Sequence, residues 1–243
     1  PEGAFKIVSY NVCSYGGNYK YEDGFGKVFD YLTEVNADIV CLQEDKTLKK
    51  CDPVARFQQL YPYNDTVHIN RADNKYINAI GIHTRFPIIR RERIDYDSSA
   101  NGSVAYFLQK GKDTLIVINN HLESTHLSDT DRSRYKEVLR GNMERDSVGE
   151  EAHMLLGKLN EAAAIRAEQA EIVHRYIKAH SQYPIIVCGD FNDTPISYTR
   201  RTMAQGLNDC FVEAGQGLGL SYNQKGFNFR IDHILCSAHF KPV

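Results

Sequence analysis

The stretch IIVCGDFNDTP, Ile185–Pro195, decides how this chain folds. With Pro184 it opens as a short apolar run of the kind that forms a buried strand, ending at Gly189-Asp190. Three short polar groups, Asp190, Asn192 and Asp193, then follow where a turn needs only one or two. Upstream, Glu150–His180 reads as a long helix with an Ala-rich section at Ala162–Ala170, preceded by a charged helical stretch over about Asp129–Arg145. Further back the texture is mostly β. Thr66–Ile69, Ala79–His83, Ile88–Ile94, Val104–Gln109 and Thr114–His121 read as strands divided by turn-forming clusters. Near the start, Phe5–Val12 alternates apolar and polar residues as a strand does. Gly24–Val35 has helical spacing at Val28, Tyr31, Leu32 and Val35, with Asn36 as its stop. Asp38–Gln43 is a short buried strand that delivers Glu44 at its end, and Pro53–Leu60 is a short helix with proline in its first turn. After Pro195 come a short helix at Ser197–Gln205, glycine-rich turns at Gly215–Gly219 and a strand at Phe229–Cys236. Strands outnumber helices without strict alternation. The expected class is therefore α/β, a layered sandwich with helices outside packed sheets.

A chain of 243 residues with 42% apolar and 25% charged residues can bury a large core, and a single domain over residues 1–243 is expected. The net charge of −2 supplies no global field for a polyanion, so any such binding must come from a local patch or a metal. No run of 18 or more apolar residues is present, and the chain reads as a soluble domain with its compartment undefined. Its parent is compatible with either a cytoplasmic or a membrane-anchored protein. Cys13, Cys41, Cys188 and Cys236 lie in or beside β-branched apolar runs, and no CxxC pair occurs. Reduced cysteines acting as small hydrophobes are expected, with neither a disulfide scaffold nor a zinc knuckle.

The polar residues at strand ends carry the chemistry. Asn11 ends the first strand, Glu44 follows the second, and His121 follows Leu115–Asn119. Asp190 and Asn192 follow Ile185–Cys188, and Asp232 lies in RIDHIL, Arg230–Leu235. Strand ends on a rigid sheet can hold groups that are both exposed and well placed. Hard oxygen donors with one imidazole suit Mg²⁺ or Mn²⁺ better than zinc. Each residue alone has a plainer reading. Glu44 could be a solvated strand terminus, Asn11 a turn residue and His121 a structural histidine. The Asp190–Asp193 cluster could be an Asx turn capping the Ser197 helix.

Taken in order, these positions resemble the endonuclease/exonuclease/phosphatase superfamily. The matching segments are SYNVCSYGG (Ser9–Gly17), ADIVCLQE (Ala37–Glu44), NAIGIHTRFPI (Asn78–Ile88), NNHLEST (Asn119–Thr125), IIVCGDFNDTP and FRIDHIL (Phe229–Leu235). The resemblance implies a four-layer sandwich, two packed mixed sheets flanked by helices. It implies Mg²⁺-dependent phosphoester hydrolysis, with Mn²⁺ as a substitute. Glu44 would be the principal metal ligand, with Asn11 supporting it. Asp190 would orient or deprotonate the attacking water, Asn192 would donate to the nucleophile or transition-state oxygens, and His121 would donate to a non-bridging phosphate oxygen. Asp232 would bond the last catalytic histidine of the family.

That histidine lies in a terminal Ser-Asp-His-x-Pro motif, and here the chain departs from the pattern. It ends at Val243, eleven residues after Asp232, and Ala238 stands where the motif's Asp would be. The expectation is that the motif and the last strand lie beyond Val243; the alternative is that His233 or His239 substitutes. The substrate stays open between nucleic acid and a lipid or small phosphoester. HLEST, His121–Thr125, is identical to a pentapeptide typical of tyrosyl-DNA phosphodiesterases. Arg85, Arg90, Arg91 and Arg93, and Lys46, Lys49 and Lys50, form basic clusters that either bind phosphate or are solvated faces. The charged segment 126–160 serves substrate selection or partner contact. A monomer without an obligate protein partner is expected.

Overall fold

Residues that alternate along one strand of this protein face two different layers. In the computed structural model, which describes residues 3–16, 24–46, 53–70, 76–98, 100–125, 127–128, 130–131, 133–134, 137, 145–224 and 227–243, β2 (Ile39–Gln43) is buried throughout. Its Ile39 and Cys41 join the core between two sheets, while Val40 and Leu42 join a second core beneath helices. β7 (Asp113–His121) repeats the arrangement, with Leu115 and Val117 facing the central core and Ile116 and Ile118 facing a third.

The first sheet is mixed, in the order β1-β2-β4-β3, with β1 at Ile7–Asn11, β3 at Tyr63–Asn70 and β4 at Tyr76–Thr84. The β1 and β2 strands run parallel, which sets Asn11 beside Gln43 and so next to Glu44. The second sheet has six strands, β5-β6-β7-β8-β12-β9. Here β5 is Ile88–Ile94, β6 Gly102–Lys110, β8 Ile185–Asp190, β9 Asn208–Asp209 and β12 Asp232–Cys236. The β7–β8 pair is parallel and places His121 opposite Asp190, while antiparallel β12 places Asp232 on the other side of Asp190. Both parallel pairs therefore end in the polar residues singled out in the sequence.

Helix α1 (Gly24–Val35) buries Leu32, and α2 (Pro53–Phe57) buries Phe57, both in the core outside the first sheet. Helix α3 (Arg145–Ala179) covers the second sheet through Ala170, Val173 and Ile177, spaced by three and four residues on one face. Helix α4 (Tyr198–Met203) is capped by Ser197, whose Oγ accepts from Arg200 N at 3.1 Å. Helix α5 (Cys210–Ala214) is capped by Asp209.

Several expected boundaries shift. The helix expected at Glu150 starts at Arg145. The single strand expected over Phe229–Cys236 is two pieces: β11 (Phe227–Phe229) pairs with β10 (Tyr222–Gln224), and the chain then enters β12. The break follows from Ser221, whose Oγ accepts from both Ile231 N and Asp232 N, each at 3.1 Å, and turns the backbone between them. The β9 strand and α5 were not foreseen, since two to five residues carry too little periodicity to register. Most of the charged stretch expected to be helical over Asp129–Arg145 lies outside the described residues. Cys13, Cys41, Cys188, Cys210 and Cys236 are free thiols in the structure. No described helix is long and apolar enough to cross a membrane.

Candidate active site

The Asn11 amide joins the two sheets at their polar ends. Asn11 Nδ2 donates to Glu44 Oε1 and to Asp190 Oδ2, each at 3.0 Å. Its Oδ1 accepts from Cys13 N at 2.9 Å, and that backbone donor fixes which way the amide faces. In this geometry Asn11 acts on the carboxylates as a donor. Its carbonyl oxygen keeps one lone pair for other use.

Asp190 is held from two sides, since its Oδ1 also accepts from Asn192 N at 2.8 Å. This is the Asx-turn geometry expected as the plainer reading, but the cap of the following helix is Ser197, so Asp190 is not used there. Asn192 adopts φ 51° and donates its side-chain amide to Leu122 O at 2.9 Å, leaving its second amide hydrogen uncommitted to that carbonyl. A left-handed non-glycine residue is disfavoured by roughly 1–3 kcal/mol, and such strain persists where surrounding contacts hold it.

His121 is buried, and its tautomer follows from Asn78. Asn78 Oδ1 accepts from Ala79 N at 2.8 Å, and its Nδ2 donates to Ala100 O at 2.9 Å. That orientation presents Nδ2 to His121 Nδ1 at 2.8 Å as a donor. The ring proton is therefore on Nε2, which faces Glu44 Oε1 at 3.9 Å. Burial pushes the imidazole below its usual range against the opposing pull of Glu44, Asp232 and Glu123. A neutral ring with Nε2–H pointing into the site is the result.

Three carboxylates, Glu44, Asp190 and Asp232, gather here, with Arg166 acting on Asp190 from a distance. Burial, and to a smaller extent Glu44, raises Asp190 to about 6 against the hydrogen bonds from Asn11 and Asn192. Burial and the nearby Asp190 raise Asp232 to about 7. Among the described residues no Lys or Arg forms an ion pair with Glu44, Asp190 or Asp232. No cluster of three or more His, Cys, Asp and Glu side chains in metal-binding arrangement occurs among them either. A carboxylate and an amide oxygen with the remaining positions left to water is a donor set that fits Mg²⁺, which keeps several waters, and does not fit zinc.

All six residues named from the sequence thus converge, while the two substitute histidines do not join them. His233 lies against Phe191 with ring centroids 4.9 Å apart and the planes tilted by 39°, and its Nε2 is held at 3.0 Å by Asp193 O. His239 lies in the turn after β12, where its Nδ1 is 3.1 Å from Ser237 Oγ.

Sequence reading missed the residues that hold these six. Gln43 Nε2 donates to Asn119 Oδ1 at 2.6 Å across the two sheets. Asn119 Nδ2 in turn donates to Leu42 O and Gly81 O, at 3.1 and 2.9 Å. Buried Arg166 bonds Asp193 Oδ2 and Glu123 O and so ties the loop after β7 to the loop after β8. Gln43, Asn78 and Asn119 stood inside the matching segments. Their signal was an amide at a position that strand alternation assigns to the interior.

The comparisons with known proteins bear on the family and the fold. Residues 8–243 match the model of the Endonuclease/Exonuclease/phosphatase family. No curated protein matches the chain by sequence. Solved structures do match. D. rerio TDP2 humanised by 14 mutations is 17% identical with a TM-score of 0.65, covering 98% of this chain and 86% of that one. The 3′ phosphatase NExo from Neisseria, bound to a product DNA hairpin, is 18% identical with a TM-score of 0.63, covering 97% and 88%. SmcL, 17% identical with a TM-score of 0.65, covers 98% and 84%. Identities this low speak for a shared fold and not for a shared substrate.

Proposed function

The chain belongs to the endonuclease/exonuclease/phosphatase family of phosphoester hydrolases, and on that premise we propose that it hydrolyses a phosphodiester or phosphomonoester with Mg²⁺, or Mn²⁺ in its place, by attack of a water that Asp190 orients. One observation carries the reading: the Asn11 amide joins Glu44 and Asp190, the ends of two different sheets, in a single hydrogen-bonded unit. Glu44 with Asn11 would hold the ion. When bound, the metal supplies positive charge that offsets charge on a phosphate oxygen and on the leaving oxygen. Asp190, gripped by two donors, would orient a water and take its proton as the new oxygen–phosphorus bond forms and the bond from phosphorus to the leaving oxygen breaks, the leaving oxygen being protonated from solvent. His121 offers Nε2–H, and Asn192 its second amide hydrogen, to the transition-state oxygens.

Hydrolysis of bis(4-nitrophenyl) phosphate, plasmid DNA, sphingomyelin and inositol phosphates, with and without Mg²⁺, tests the reading. Asp190→Asn should lower the Mg²⁺-dependent rate by roughly 10²–10⁴. A rate unchanged by that substitution would refute the mechanism. For the substrate, a lipid or small phosphoester is favoured over a long nucleic acid by the basic cluster on β5 and before it. Arg85 pairs with Asp38 at 3.2 Å, Arg90 with Glu92 at 3.2 Å and Arg91 with Asp65 at 2.5 Å, so three of the four arginine charges, all but that of Arg93, are already answered within the fold. Lys49 and Lys50 lie outside the described residues. Faster turnover of plasmid DNA than of the small phosphoesters would decide for a nuclease.

The proposal includes a donor to Asp232. Its buried Oδ1 has no hydrogen-bond partner among the described residues. It lines a groove of about 760 Å³ that Ile7 and Ser9 of the edge strand β1 also line. A histidine on a further strand along that edge would satisfy it. A chain extended through such a strand should turn over faster than residues 1–243 alone, and equal turnover would dismiss the idea.

A further inference from the structure

One strained backbone segment contains Glu44 and another follows Asn11, and the two are fastened to each other by side chains that the mechanism does not use. Directly after Asn11 and Val12, the residues Cys13, Ser14 and Tyr15 all adopt left-handed φ values of 47, 51 and 55°. Three consecutive non-glycine residues rarely do so, because each Cβ crowds the following carbonyl. Glu44 is left-handed as well, with φ 52°. Its carbonyl turns toward the first segment and accepts from Ser14 N at 3.0 Å and from Lys46 N at 2.8 Å.

The side chains close the same joint. Tyr15 is buried in the core under α1, and its hydroxyl donates to Asp45 Oδ1. Asp45, also buried, takes its second contact from Thr66 Oγ1 at 3.5 Å, and its backbone N donates to Ala79 O at 3.0 Å. The carboxyl fits there only because residue 81 is glycine: a Cβ on Gly81 would stand 2.1 Å from Asp45 Oδ2. Asp45 is thus wedged on β4, and Tyr15 hangs from it. Relaxation of either strained turn would require the Tyr15–Asp45 contact to open.

We propose that Tyr15 and Asp45 are positioning residues that fix the backbone at Glu44 and after Asn11, and so the placement of the metal carboxylate, by locking the two left-handed turns together. The inference rests on the reading of Glu44 as the metal carboxylate. Partners that orient a ligand without touching the ion typically change metal affinity by about 10–100-fold when removed. Binding of Mn²⁺ alone, followed by the electron paramagnetic resonance signal of the free ion, measures this without turnover. Tyr15→Phe, which deletes one hydroxyl, and Asp45→Ala, which removes its acceptor, should each raise the Mn²⁺ Kd by about 10–100-fold. Asp45→Asn keeps an acceptor for Tyr15 and a partner for Thr66, and should bind within a few-fold of the wild type. All variants are compared below the lowest melting temperature in the set. A purely structural role would lower Tm and leave the affinity of the folded protein unchanged. Abolished binding in Glu44→Gln together with wild-type affinity in Tyr15→Phe and Asp45→Ala would overturn the inference. Unchanged binding in Glu44→Gln would instead remove the reading beneath it.

Discussion

Asn119→Leu should destabilise the protein by roughly 3–5 kcal/mol, within the range set by three lost hydrogen bonds and one stranded amide. Asn119 is fully buried between the sheets. It accepts from Gln43 at 2.6 Å and donates to the carbonyls of Leu42 and Gly81. Each such bond contributes about 0.5–1.5 kcal/mol net, and a buried donor left without its partner costs about 1–3 kcal/mol. Gln43 keeps only Ser9 Oγ at 3.2 Å and Cys41 O at 3.5 Å, the second at the limit of a hydrogen bond. Against a total stability of about 5–15 kcal/mol the loss is large. For a chain of this size it should lower Tm by roughly 6–20 °C. The protein contains no tryptophan, so urea unfolding is best followed by far-ultraviolet circular dichroism. Gln43→Met alone should also destabilise. The double variant Gln43→Met/Asn119→Leu should be more stable than the sum of the two singles predicts, by at least about 1 kcal/mol, because no stranded amide remains. Additive losses, or a single-variant change below about 1 kcal/mol, would show that the two amides do not clamp the sheets.

Two further outcomes follow from buried histidines. Asn78→Ala removes the donor to His121 Nδ1. Imidazole ¹⁵N spectra should then show the Nε2–H tautomer losing its dominance, with kcat falling by up to roughly 10²–10³, the range for losing one transition-state donor; an unchanged tautomer would refute the assignment. His83, stacked on Phe57 at a centroid distance of 4.2 Å, is pushed by burial from 6.5 to about 3. The unfolded chain therefore binds a proton below pH 6.5 that the folded protein refuses, so stability falls as pH drops from about 6.5 toward 3. The slope is at most about 1.4 kcal/mol per pH unit, roughly 2 kcal/mol by pH 5, and His83→Gln should flatten it in urea titrations. A slope that persists in that variant would assign the acid sensitivity to other groups.

The residues visible in the sequence and those hidden from it differ in one physical respect. Asn11, Glu44, His121, Asp190 and Asp232 interrupt apolar runs at strand ends, and a two-residue period locates such ends without any knowledge of tertiary structure. For the same reason β5 was legible to the residue, whereas the break between β11 and β12 was not, since it depends on a hydroxyl ten residues away. Which strands pair was not legible either. Asp190 meets His121 only because β7 and β8 run parallel, and meets Asp232 only because β12 returns antiparallel.

The supporting residues are hidden for a stronger reason. Tyr15 looks like one more aromatic residue before a glycine pair, and Asp45 like a solvated charge after a strand. Their value comes from a partner 30 positions away and from the missing Cβ of Gly81, neither of which leaves a local pattern. Glutamate at 44 needs no special chemistry to become left-handed, but it needs neighbours that make every other conformation worse. A substitution scan restricted to the six strand-end residues would therefore find the groups that touch substrate or metal and overlook those that place them. Under the present reading, Tyr15→Phe separates the two classes: it alters no atom within reach of phosphate, yet it should weaken metal binding. A scan that found metal affinity insensitive to every residue outside the strand ends would show that the strained turns hold their shape unaided.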